Sequence, residues 1–173
     1  MFERLFKGKT NKGEWVQGDL LHNGFDYDTA IWERESKLVT EVIPETVGQF
    51  TGLYDNTKWY DLTEAEKKEF YHSVYSEDGI TIKYPTVESV EYLWKGKKIF
   101  EGDILYYPHI LNFKLVTGVV VFEKDDFCFS LDIKKERDNT LFIQPLMYLS
   151  LYDCKKIGNI HDNPELLESE VTE

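Results

Sequence analysis

Cysteine, proline and long apolar runs are scarce in this chain, which has two Cys and five Pro among its 173 residues. No run approaches the roughly 18 apolar residues of a transmembrane helix, so we expect no membrane span. The N-terminal segment has no apolar stretch typical of a secretory signal, so we expect a cytoplasmic protein. In the reducing cytoplasm Cys128 and Cys154 are predicted to be unpaired and to behave as small apolar side chains. A disulfide between them is the alternative.

An excess of positive charge is also missing. The chain carries 20 basic and 32 acidic residues, which gives a formal net charge of −12. A protein that follows a phosphate backbone normally presents a basic face, so this balance disfavours nonspecific nucleic-acid binding. The same charge favours solubility and encounters with basic partners.

Apolar and aromatic residues are abundant, at 42% and 15% of the chain, which predicts a folded protein of one domain or two very small ones. Many short strands separated by turns are typical of a small barrel or roll rather than of a parallel sheet. No internal repeat of fixed period is visible. Beyond an N-terminal pair of strands joined at 7–13, strands are predicted over 30–32, 38–43, 99–107, 118–122, 127–132, 141–143 and 156–160.

The segment 56–94 is predicted to be a folded insertion, because a flexible linker would not carry its eight aromatic residues. Thr63 and Glu66 have the spacing of a capping box, which predicts the start of a helix. Apolar residues follow at helical spacing over 70–75, and 80–84 alternates like a strand.

No sequence pattern of a metal or catalytic site is present. The four histidines are distant from one another and from both cysteines, and segment 26–28 lacks the rest of a calcium loop. Segment 47–52 has two glycines but neither the lysine nor the following helix of a phosphate loop. No Gly-x-Ser-x-Gly elbow occurs. We therefore predict no cofactor, no metal and no enzymatic activity, with a site dispersed along the sequence as the alternative.

The stretch 43–55, IPETVGQFTGLYD, is predicted to form a corner that locks two β segments. Pro44 cannot donate a ladder hydrogen bond, so a strand ends there. Its two glycines permit unusual dihedral angles or close chain packing. Phe50 and Leu53 are expected to point into the core.

Other residues are also predicted to serve the backbone. Asp103 follows a glycine before an apolar strand, where a carboxylate more often fixes a turn than performs catalysis. The lysines of segment 95–98 are expected to form a solvated turn, with phosphate contact as the alternative. A proline after a good N-cap residue predicts a short C-terminal helix. The structural residues are Pro44, Gly48, Gly52, Gly102, Asp103, Asn163 and Pro164.

Six stretches occur in a characteristic order: FKGK (6–9), GEWVQG (13–18), IPETVGQFTGLYD (43–55), GKKIFEGDIL (96–105), GVVVF (118–122) and IGNIHDNPELL (157–167). Together they resemble the YopX family, uncharacterised proteins carried by phages and prophages. The resemblance implies a mainly β fold with a small SH3-like barrel, self-association, and no established activity or catalytic residues. The short form of the family has only a few turn residues where this chain has about forty, between Asp55 and Gly96.

These observations predict a mainly β protein with four parts: an N-terminal β segment (1–55), the insertion (56–94), an SH3-like β segment with a short helix (95–167) and an acidic tail (168–173). We expect a noncatalytic module that binds a host or phage protein or forms a homo-oligomer. The alternatives are an accessory protein for nucleic acid and an acidic DNA mimic. Insertion aromatics are the candidate interface, unless they form an extra core layer: Trp59, Tyr60, Tyr71, Tyr75, Tyr92 and Trp94.

Overall fold

The computed structural model describes residues 4–24, 27–34, 36–76, 91, 93–108, 115–126, 128–134, 141–146 and 154–167. The prediction of a mainly β protein is confirmed. The strands are β1 (Phe6–Lys9), β2 (Trp15–Gly24), β3 (Tyr27–Trp32), β4 (Val39–Glu41), β5 (Gly48–Tyr54), β6 (Lys98–Phe100), β7 (Asp103–Pro108), β8 (Leu115–Glu123), β9 (Cys128–Lys134), β10 (Leu141–Pro145) and β11 (Lys155–Asn159). Helix α1 spans Glu64–Ser76, and 3-10 turns span Pro44–Thr46, Trp59–Asp61 and Pro164–Leu167.

The strands form two antiparallel sheets. The first has the order β4-β3-β2-β1-β5-β6, and the second has the order β10-β9-β8-β7-β11. Apart from β6, the sheets repeat one topology, in which four strands form a meander and the fifth pairs with the free side of the first. This repeat is invisible in the sequence because strand topology does not require a repeated residue pattern.

The first sheet curls. Ile43, which follows the outer strand β4, donates its N–H to the carbonyl of Lys9 on β1 at 2.8 Å. The Lys9 N–H in turn reaches the hydroxyl of Thr46 at 2.8 Å. The turn Pro44–Thr46 therefore carries the chain from β4 across to the far side of β1, where β5 pairs with it.

The stretch 43–55 is only partly the corner that the sequence predicted. Its first residues form the turn Pro44–Thr46, but Gly48–Tyr54 is a full strand that pairs with β1 and β6. Both apolar predictions hold, since Phe50 is buried and Leu53 packs against a second core.

The sequence indicated an interruption of the predicted strand 99–107 at Gly102 and Asp103, and the structure has it one residue earlier, at Glu101 and Gly102. What the sequence did not show is that the interruption moves the chain between sheets, since β6 ends the first sheet and β7 belongs to the second. At the break, Gly102 has φ +81°. Its N–H bonds to Val120 O at 2.8 Å, and its carbonyl accepts the N–H of Ile160 at 3.0 Å.

The two sheets share a core. Ile99 of the first sheet is buried with Leu105, Tyr107, Val120 and Leu131 of the second, and Leu53 packs against the same cluster. The opposite side of β5 and β6 carries a smaller cluster of Leu5, Phe50 and Phe100. Cys154 is buried in the shared core and Cys128 is half-buried, and no disulfide joins them.

The predicted capping box of α1 is present. The Thr63 N–H donates to the carboxylate of Glu66 at 2.8 Å, and the Glu66 N–H donates to the Thr63 hydroxyl at 3.3 Å. Glu66 also accepts a bond from Lys97 at 2.6 Å, which ties the helix to the segment before β6 and lowers the pKa of Glu66 to about 2. The predicted strand 80–84 and the acidic tail lie outside the described residues. No helix in the described ranges has the length and apolar character required to cross a bilayer.

Candidate functional site

The most chemically unusual place in the structure is a buried charge cluster between the two sheets. Asp103, at the start of β7, is fully buried. It accepts the N–H of Phe100 at 2.9 Å, which is the turn-fixing bond that the sequence predicted. It also accepts the side-chain amide of Asn159 at 3.1 Å and the ammonium groups of Lys156, at 2.9 Å, and of Lys7.

Sheet pairing brings these residues together. Asn159 stands opposite Asp103 because β11 pairs with β7. Lys7 comes from β1 of the other sheet, 96 positions away in the sequence. The sequence indicated neither Lys7 nor Lys156 as a partner of Asp103. The only available signal was Lys7 itself, which lies inside the short strand FKGK beside the buried Gly8.

Burial sets the electrostatics of the cluster. Lys7 is 5% exposed, and loss of hydration lowers its pKa to about 8 against the opposing effect of Asp103. The second cation, Lys156, lowers the pKa further. The ammonium of Lys7 lies 4.7 Å from the ring centroid of Trp15 and 5.2 Å from that of Phe100, so aromatic faces replace part of its hydration.

A rim of polar contacts covers the cluster. The indole N–H of Trp15 donates to Asp162 at 2.6 Å, and Lys9 forms an ion pair with the same carboxylate. Mainly through the bond from Lys9, these contacts lower the pKa of Asp162. His161 lies 6.4 Å from the Trp15 ring, and burial lowers its pKa.

The buried charge cluster holds β1, β7 and β11 together, and it does not expose a reactive group. Both oxygens of Asp103 are bonded, and none of its surface is exposed. A general base needs a free lone pair within reach of a substrate, and Asp103 offers neither. In the described ranges no group of three His, Cys, Asp or Glu side chains is arranged to hold a metal ion.

Asp55 is a second buried carboxylate with a joining role. One oxygen accepts the N–H groups of Thr57 at 3.0 Å and of Lys97 at 2.8 Å. The other accepts the Thr57 hydroxyl at 2.7 Å and the N–H of Lys156 at 3.0 Å. The start of the insertion is thereby fixed to the segment before β6 and to β11. Gly96 is required beside it, because an added Cβ would lie 1.9 Å from the Asp55 carbonyl oxygen.

The described insertion aromatics divide between core and surface. Trp59 is buried with Leu62, and Phe70 and Trp94 pack against them. The indole N–H of Trp94 also donates to Thr57 O at 2.8 Å. For Trp59 and Trp94 the structure thus shows the extra core layer that stood as the alternative to an interface. Tyr60 is 74% exposed, while Tyr92 and the side chains of Tyr71 and Tyr75 lie outside the described part of the chain.

Gly48 and Gly52, the two glycines of the stretch 43–55, are required for different structural reasons. An added Cβ at Gly48 would lie 2.3 Å from the carbonyl oxygen of Glu101, so this glycine permits close chain packing. Gly52 has open space around it but φ +83°, so it serves a left-handed conformation. The sequence suggested both reasons, unusual dihedral angles and close chain packing, but did not show which reason applies to which glycine.

The short C-terminal helix predicted from Asn163 and Pro164 is present as the 3-10 helix Pro164–Leu167. Leu166 donates its N–H to Asn163 O at 3.1 Å, and this bond begins the turn. The side-chain oxygen of Asn163 points back and accepts the N–H of Asn159 at 3.4 Å. Asn163 therefore also braces the end of β11, next to the buried cluster.

Exposed apolar side chains lie at the edges of both sheets. Trp32 and Leu38 are 37% and 60% exposed beside β4, the outer strand of the first sheet. Ile157, 42% exposed, lies on β11, an outer strand of the second sheet, and Tyr106 is exposed on the neighbouring strand β7. We call Trp32, Lys37, Leu38, Val39 and Glu41 the β4 edge.

A comparison with known protein families finds a match that includes the whole second sheet. Residues 94–168 match the model of the family described as YopX protein. This part of the chain, less than half of it, is similar to YopX proteins. The YopX match covers β6, the whole second sheet and the C-terminal 3-10 turn, whereas strands β1 to β5 of the first sheet lie before it. No curated protein matches the chain.

Proposed function

We propose that this YopX-like protein is a noncatalytic protein-binding module built from two SH3-like units of the same topology. The observation that carries the proposal is the β4 edge, where an outer strand and exposed apolar side chains coincide. Unpaired strand edges recruit strands from other chains, because backbone bonds supply affinity and side chains supply specificity. From the YopX resemblance we further propose a phage or prophage origin and action in the host cytoplasm.

The joined architecture supports a rigid module. The sheets share an apolar core, and the Lys7–Asp103 ion pair links them through a buried contact. Asp55 and Asp103 are buried carboxylates, and each accepts hydrogen bonds or an ion pair on both of its oxygens. A module of this kind presents a fixed surface to its partner, which lowers the entropy cost of binding.

The proposal is tested by crosslinking in producing cells followed by identification of the attached chains. Leu38→Asp places a charge on the β4 edge, and Leu93→Asp is the matched control, with the same change at a leucine that is exposed elsewhere. We expect a defined partner, this chain or another protein, that the Leu38→Asp variant loses and the control retains. If neither crosslinks nor light scattering detect any partner for the folded wild type, the binding function is wrong.

A further inference from the structure

We infer that a second copy of this chain occupies the β4 edge, through antiparallel pairing of β4 with β4 in a register centred on Val39. In this register Lys37 of each copy stands opposite Glu41 of the other. The inference rests on the proposed binding function and names the partner of that surface.

Backbone bonding within the first sheet defines which groups of β4 are free. The N–H of Val42 donates to Thr29 O at 3.2 Å, and the N–H of Glu33 donates to Leu38 O at 2.8 Å. Since hydrogen-bonding direction alternates along an antiparallel strand, Val39 and Glu41 direct their N–H and C=O groups away from β3. In the part of the chain that the structure describes, these outward groups have no backbone partner.

The free edge has a defined length. Beyond Glu41, the next outward group is the N–H of Ile43, which is bonded to Lys9 O at 2.8 Å. At the other end, Lys37 has φ +60° and donates its N–H to Glu33 O at 2.9 Å, so the extended backbone begins after it. Backbone pairing is therefore confined to 38–41, where the two Val39 residues can exchange a pair of hydrogen bonds.

The side chains that would meet lie on one face of the sheet. Val39 stands opposite Trp32, and Glu41 stands opposite Ala30. Lys37 reaches the same face, because its ammonium lies 5.6 Å from the ring centroid of Trp32. Pairing about Val39 would place the two Val39 side chains between the two Trp32 rings, and it would cover apolar surface that is exposed in the single chain.

Charge selects the register. Antiparallel pairings that use the outward groups can be centred on any residue from Lys37 to Glu41. Centring on Leu38 or on Thr40 sets Val39 opposite Lys37 or Glu41, so neither register forms an opposite-charge pair. Centring on Lys37 or on Glu41 places two like charges directly opposite each other, which is destabilising. Centring on Val39 instead gives two Lys37–Glu41 pairs related by the two-fold axis, as a self-complementary interface requires.

The test uses charge reversal, with molecular mass measured by light scattering and sedimentation equilibrium on the full chain. Lys37→Glu puts Glu opposite Glu41 in a homodimer, and Glu41→Lys puts Lys opposite Lys37. We expect each variant alone to weaken dimerisation by about tenfold or more. Mixing the two variants restores both opposite-charge pairs, so we expect a heterodimer, and the double variant should dimerise like the wild type.

Lys124→Glu is the matched control, since it reverses an exposed charge in the turn between β8 and β9 and should leave dimerisation unchanged. Circular dichroism and thermal unfolding establish that each variant is folded. Recovery on mixing cannot come from variants that fail to fold, so it supports the register. A wild-type monomer, a dimer indifferent to both reversals, or no recovery on mixing overturns the inference. In those cases a different crosslinked partner at the β4 edge would still uphold the binding function.

Discussion

Lys7 on β1 and Asp103 on β7 form an ion pair that is buried between the two sheets. Lys156 contributes a second ammonium to the same carboxylate at 2.9 Å. Two cations therefore depend on one buried anion, and Asp103 is the member whose loss leaves the largest uncompensated charge.

We expect Asp103→Asn to lower the free energy of unfolding by about 3–5 kcal/mol, because it leaves two lysines beside a neutral amide at a buried site. Urea unfolding at neutral pH measures the change. Asp125→Asn, in the exposed turn between β8 and β9, is the control and should change stability by less than about 0.5 kcal/mol. Equal effects of the two substitutions would contradict the joining role of Asp103.

Stability should also depend on the protonation of Lys7. Burial lowers the pKa of Lys7 from 10.5 to about 8, so between these values the unfolded chain binds more protons at this site than the folded chain does. The free energy of unfolding therefore rises with pH across this window.

Lys7→Met removes this titration, so the stability of the wild type relative to the variant should rise by about 2 kcal/mol between roughly pH 7.5 and pH 10. Urea unfolding of both proteins across the pH series measures the difference, in which titrations common to both cancel. A difference that is constant or falls with pH would show that Lys7 is not held at a lowered pKa.

The two glycines of the stretch 43–55 should respond differently to alanine. Gly48→Ala forces a Cβ against the Glu101 carbonyl oxygen, where only 2.3 Å is available, and should cost about 3 kcal/mol or more. Gly52→Ala meets no atom and only imposes a left-handed conformation on alanine, which costs about 1 kcal/mol. Thermal unfolding of the two variants gives the ranking, and the reverse order would refute the assignment of their causes.

The insertion aromatics should separate into core and surface residues. Trp59→Ala removes a buried indole that packs with Leu62, Phe70 and Trp94, and should cost about 3–5 kcal/mol. Tyr60→Ala changes an exposed side chain and should leave stability within about 0.5 kcal/mol of the wild type. Chemical denaturation followed by tryptophan fluorescence distinguishes them. A stable Trp59→Ala variant would mean that the small cluster contributes little.

Local sequence signals predicted local structure well. The capping box of Thr63 and Glu66, the strands over 118–122 and 127–132, and the interruption near Gly102 each depend on residues close in sequence, so the sequence alone indicates them. The order of the six stretches predicted a resemblance to the YopX family, and the family model matches residues 94–168.

Prediction failed where residues distant in sequence meet. The partners of Asp103 include Lys7 and Lys156, and nothing near Asp103 in the sequence indicates either lysine. The β4 edge was missed as well, since Trp32 and Leu38 resemble ordinary strand residues until the order of the described strands places β4 at the outside of its sheet. For Trp59 and Trp94 the sequence left an interface and an extra core layer both open, and the structure packs them in a small apolar cluster.

The sequence by itself determined that the chain folds as short antiparallel strands, where they turn, and that its C-terminal half resembles the YopX family. These properties follow from side-chain periodicity and turn chemistry, which act over a few residues. Tertiary structure alone decided the repeated sheet topology, the buried lysines around Asp103 and the free edge of β4. Each of these depends on which strands become neighbours, and that choice minimises the exposed apolar surface and unpaired polar groups of the whole chain rather than of any segment.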